Sequence, residues 1–209
     1  MHDPDEPGGG NGAFGLNALD HRIQEYSELA DIGEIARRYF AMNAFDGVLT
    51  IIGVLMGNLT AGVRDAHIVI TTGLATCIAM GVSGLWGAYL TESAERKRDL
   101  AELSRQTLTD LRKTRIGRAS RAAVIAVSLV DGLSPFLAAL IVLIPFFFAD
   151  LFTDVEWAYY ASLGFALGAL FALGLFLGRT GRENVLLYGL KTVVAGVVSI
   201  GISILLGAD

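Results

Sequence analysis

At 209 residues the chain has the length of one ordinary domain, yet 53% of it is hydrophobic and only 18% is charged. Mean hydropathy is +0.54, and the charges gather in blocks, so a soluble bundle would lack the polar surface to cover its apolar segments. A net charge of −5 argues against a nucleic-acid partner. The expectation is an all-α, polytopic membrane protein.

Residues 1–18, with Gly8-Gly9-Gly10 and the acids Asp3, Asp5 and Glu6, read as a flexible tail. Residues 19–38 read as an amphipathic interfacial helix, because Ile23, Tyr26, Leu29 and Ala30 recur at helical spacing. His21 and Glu25 share a face of it as a solvated pair. Five segments then approach the roughly 20 apolar residues that a spanning helix needs. They are Tyr39–Leu59, His67–Leu90, Ala122–Phe148, Trp157–Leu177 and Leu186–Leu206. Residues 39–91 thus hold transmembrane helices 1 and 2, and residues 121–209 hold helices 3 to 5. Between them, 92–120 is a charged cytoplasmic helical linker or hairpin. Pro135 and Pro145 lie inside the third span and tend to kink it.

Charge placement gives an orientation. Arg37 and Arg38 precede the first span, the linker is rich in Arg and Lys, and Arg179 and Arg182 follow the fourth span. Asp150, Asp154 and Glu156 lie at the other end. The excess of basic residues in short cytoplasmic loops predicts a cytoplasmic N-terminus and an exterior or luminal C-terminus. Membrane lipids are then expected partners, with anionic headgroups near the basic loop. The membrane is the plasma membrane in a prokaryote, and an intracellular one is equally compatible. Cys77 is the only cysteine, lies in an apolar run and reads as a packing residue.

Two carboxylates stand inside these runs, each followed by glycine: Asp46-Gly47 and Asp131-Gly132. A carboxylate in a spanning helix is costly unless it faces protein, water or a cation. Both are therefore candidates for ion or proton handling, with a structural polar contact as the other reading. Counted from the starts of their runs, Asp131 is expected to lie deeper than Asp46. Asn43 and Thr50 share the helical face of Asp46 and offer neutral oxygens. Met56 and Met80 offer thioethers to a softer metal, or simply pack. Glu92, Glu95, Asp99 and Glu102 form an acidic stripe that either collects a cation or pairs with Arg96, Arg98 and Arg105. Gly47, Gly84, Gly87, Gly132 and Pro135 are expected at close helix contacts or gates. The freed carbonyl behind Pro135 is a further possible ligand. No phosphate-binding glycine loop and no nucleophile–base motif is present, so neither an ATP-driven pump nor a conventional enzyme is expected.

Several segments in this order resemble the vacuolar iron transporter (VIT) family across roughly Phe40–Gly207. They are Asp46-Gly47, Gly87-Ala88-Tyr89-Leu90-Thr91, Ser134-Pro135-Phe136, Leu143-Ile144-Pro145-Phe146, Leu177-Gly178-Arg179 and Tyr188-Gly189-Leu190. The resemblance implies a dimeric five-span transporter that moves Fe2+, Mn2+ or a related divalent ion in exchange for protons. It makes Asp46 the first transport residue. Where relatives often read Met-Ala-Ala-Gly-Glu-Tyr, this chain has Gly84-Leu85-Trp86-Gly87-Ala88-Tyr89. Ala88 thus stands in the place of a glutamate and Gly84 in that of a methionine. The linker is also shorter and less acidic than the metal-collecting region of better-known members. The expected function is divalent-cation transport as a homodimer, with the metal as cargo and no cofactor. The alternatives are proton-coupled transport of another small solute, or a membrane scaffold or regulator without transport.

Overall fold

The computed structural model describes residues 32–207, so the expected tail and most of the expected amphipathic helix lie outside the described residues. Five long helices follow one another: α1 (Ile32–Thr60), α2 (Ala66–Thr107), α3 (Arg115–Phe147), α4 (Val155–Thr180) and α5 (Val185–Leu206). Short 3-10 turns occupy Leu111–Lys113 and Ala149–Leu151. All five helices are long and apolar enough to cross a membrane.

Local chemistry sets their ends. Gly62, at φ +73°, ends the turn after α1 in a conformation that L side chains avoid. Asp65 then caps α2, its carboxylate accepting from the His67 amide at 2.8 Å. The Asn184 side chain does the same for α5 by accepting from the Leu187 amide at 3.3 Å. α2 does not stop where its apolar run stops. It continues through the charged stretch to Thr107, where Leu108 turns left-handed at φ 53°. The expected linker is therefore built from the extended ends of α2 and α3, closed by the 3-10 turn. α3 runs through Pro135 and Pro145 without interruption. The Ser134 hydroxyl donates to the Val130 carbonyl within that stretch.

The helices alternate in direction. Tyr39 near the start of α1 meets Glu92 late in α2, and Asn58 near the end of α1 meets Thr72 early in α2. Phe40 stacks edge-on against Phe176 near the end of α4, with ring centroids 5.6 Å apart. One end of the bundle consequently carries the basic residues of the α2–α3 hairpin and the α4–α5 turn. At the other end Arg64 pairs with Glu156, and the buried Tyr159 hydroxyl donates to the Val63 carbonyl at 3.0 Å.

The core is formed mainly by α1, α3 and α4, where Val48, Ile51, Ile52, Leu55, Val142, Leu143, Phe146 and Leu170 are fully or almost fully buried, and α2 adds Val69 and Cys77. Outward faces remain apolar, with Val82, Trp86, Leu133, Ile141 and Ile202 exposed. Such surfaces suit lipid rather than water. The tightest approach joins α2 to α3. A Cβ on Gly132 would stand 2.6 Å from the Gly81 carbonyl oxygen, and one on Gly84 would stand 2.8 Å from the Asp131 carbonyl oxygen. Only glycine permits backbones to meet this closely.

Candidate functional site

α1 and α3 run parallel, and their register is set by two contacts. The Asn43 side-chain amide donates to Asp131 Oδ1 at 2.5 Å. One turn on, Gly47 lies against the Pro135 backbone, where a Cβ would come within 2.5 Å of the carbonyl oxygen. Asp131 is thus level with Asn43 and one turn shallower than Asp46, not deeper. Depth read from where each apolar run begins fails because helix packing, not the start of the run, fixes the register. The two Asp-Gly pairs do not face each other.

Around this contact a polar network links three helices near the basic end of the bundle. Asn43 also donates to the Tyr39 carbonyl one turn earlier, at 2.9 Å. The Tyr39 hydroxyl donates to Glu92 Oε1 at 3.3 Å, and Arg96 Nε donates to Glu92 Oε2 at 3.1 Å. Glu92 is only 8% exposed, so its charge is held by partners rather than by water. Asp131 and Glu92 are close enough to interact electrostatically. Glu92 is ion-paired with Arg96, so Asp131, bonded to the neutral Asn43, is the carboxyl of this network that can exchange a proton for a cation.

Asp46 is arranged differently. Its side chain is exposed on the single chain and has no hydrogen-bond or ion-pair partner among the described residues. Along the same edge of α1 lie exposed Met42, Gly53 and Gly57, and a Cβ on either glycine would touch nothing within 4 Å. Thr50 is half-buried beside this edge.

The other expected residues are scattered. Met56 is buried in the apolar core, thirteen residues beyond Asn43, or about 20 Å along the helix at 1.5 Å per residue. Met80 is half-buried and packs against that core. Within the acidic stripe, Glu92 turns inward, whereas Glu95, Asp99 and Glu102 are exposed. Glu102 accepts from Gln106 at 3.1 Å. Gly84, Gly132 and Gly47 lie at close contacts, but Gly87 faces open space. The carbonyl behind Pro135 is that of Asp131, and it lies against Gly84. Among the described residues, no three His, Cys, Asp or Glu side chains gather as a ready metal site.

Tyr39 was not singled out from sequence. Its signal was available, since it lies one turn before Asn43 on the same face of α1.

The comparisons agree with this architecture. The VIT family profile matches residues 38–117 and 110–208. An uncharacterized protein of Methanocaldococcus jannaschii, MJ0645, is 32% identical over 173 residues, covering 81% of this chain and 87% of the relative. With five spanning-length helices carrying the match, the chain belongs to the VIT family, and so to integral membrane proteins of metal transport rather than to enzymes.

Proposed function

We propose that this protein moves a divalent transition-metal ion, Fe2+ or Mn2+, across the membrane in exchange for protons, working as a homodimer. The observation that carries the reading is the exposed Asp46 carboxylate. It stands seven residues beyond Tyr39, about 10 Å into the apolar run at 1.5 Å per residue. Left against lipid, a carboxylate near mid-helix costs about 3 kcal/mol. A second copy facing the same edge of α1 removes that cost, and Gly53 and Gly57 let the two helices come close. The two Asp46 side chains then present four hard oxygens to one path, with Asn43 and Thr50 as neutral oxygens nearby. A metal ion or protons satisfy the same charges, which is the physical basis of exchange.

The basic end faces the cytoplasm in this reading. Glu92 and Asp131 form a second station there, and exposed Glu95, Asp99 and Glu102 draw cations towards it. Ala88 supplies no carboxylate, but Glu92 lies one helical turn further on and restores a negative charge to the same helix. Met80 is close to the core rather than to this network, so oxygen ligands dominate. That favours ions tolerant of hard donors.

Transport in sealed proteoliposomes tests the reading. Fe2+, Mn2+, Co2+ and Zn2+ are compared with and without a proton gradient, for wild type and Asp46→Asn. Saturable, gradient-dependent flux that disappears in the variant is the expected result. Wild-type vesicles that carry none of these ions, or a variant as active as wild type, sink it.

A further inference from the structure

A cavity of about 390 Å³ opens between the extended end of α2 and the start of α3. Its wall carries the side chains of Arg96, Lys97, Arg112 and Arg121 and the hydroxyl-bearing Ser93 and Ser120, without a single acidic residue. Leu100 and Val124 provide its apolar part. Arg96 is ion-paired with Glu92, which leaves Lys97, Arg112 and Arg121 as the cations that an anion in the cavity would offset.

The cavity is built rather than incidental. Arg112 belongs to the 3-10 turn that closes the hairpin, and Asp110 holds that turn by accepting from the Arg112 amide at 3.1 Å. The first turn of α3 is pressed against it at Gly117, where a Cβ would lie 2.5 Å from the carbonyl oxygens of both Leu111 and Arg112. Arg96 is fixed from behind, since its Nε is engaged by Glu92. The same residue lines the cavity.

Its height in the bundle identifies the anion. Arg121 immediately precedes the apolar run of α3, and Ser93 lies three residues past Leu90, where that of α2 ends. The cavity therefore lies at the level of the lipid headgroups, with an apolar wall on one side. We propose that it binds a phosphate group, that of an anionic phospholipid of the same leaflet. Arg112 and Arg121 grip the phosphate oxygens, and Lys97 completes the charge.

Native mass spectrometry of the full-length protein in neutral detergent provides the test, with phosphatidylglycerol and phosphatidylcholine of equal chain length as probes. Wild type is expected to retain phosphatidylglycerol selectively. Arg112→Gln/Arg121→Gln lowers that retention by roughly tenfold or more, as loss of two headgroup cations implies. Arg112→Lys keeps most of it. Arg98→Gln, on the same helix but outside the cavity, leaves it unchanged. Inorganic phosphate is added in a separate arm. If it alone stabilises wild type, with no lipid preference, a soluble anion is the ligand and the lipid assignment is wrong. Equal retention of the two lipids, or equal losses in the Arg98 variant and the double variant, also overturns the proposal. Size-exclusion elution at the wild-type position verifies that each variant is folded.

Discussion

Tyr159 is fully buried, crosses Phe146 edge-on with ring centroids 4.8 Å apart, and donates its hydroxyl proton to the Val63 carbonyl. Tyr159→Phe keeps the ring packing but removes the donor from that carbonyl. Stability is expected to fall by about 1 kcal/mol, with metal flux per folded molecule unchanged. A thermal unfolding midpoint measured beside flux separates the two effects. Asn43 calls for a different outcome. Asn43→Leu removes the hydrogen-bond donor to Asp131, so metal flux in proteoliposomes is expected to fall by a larger fraction than the folded yield does. Such residues were unequally legible in the sequence. A lone Asp in an apolar run announces itself by its cost. The Tyr39–Glu92 bond joins positions 53 residues apart, and no local period contains it.

Between elements, glycine sets the distance from α2 to α3. Gly132→Val puts a branched side chain where a Cβ already comes within 2.6 Å of the Gly81 carbonyl oxygen. The backbone must move, and a loss of about 1–3 kcal/mol is expected, read as a lower unfolding midpoint in detergent. Gly87→Ala, facing open space, is expected to leave the midpoint within about 0.5 kcal/mol of wild type. Apolar run length was enough to find all five helices, because a membrane leaves few other solutions for such segments. The true extent of α2 was harder to read. Hydropathy falls after Leu90, but Glu, Arg, Lys, Ala and Leu continue as good helix formers to Thr107. The sequence predicts a helical linker here but does not reveal that its first half continues the spanning helix without a break. The depth of the two Asp-Gly pairs was misread from sequence: Asn43 meets Asp131 and Gly47 meets Pro135, so Asp131 lies three residues short of Asp46 rather than beyond it.

Taken as a whole, the described part of the molecule leaves the Asp46 side of α1 uncovered. Gly53→Leu/Gly57→Leu fills the open space along that edge without touching the described core. If two copies meet there, the variant should shift from dimer to monomer in light scattering. A dissociation constant raised about tenfold, equivalent to ~1.4 kcal/mol, is the expected minimum. An unchanged dimer would move the interface elsewhere and leave Asp46 without its cover.

The length of α2 matters as well. Its 42 residues form one uninterrupted helix about 63 Å long at 1.5 Å per residue. The glycines that grip α3 and the arginines at the α2 end of the hairpin therefore lie on one helix. Its hydrogen-bonded backbone runs unbroken from the aqueous hairpin to the α2–α3 contact inside the apolar run.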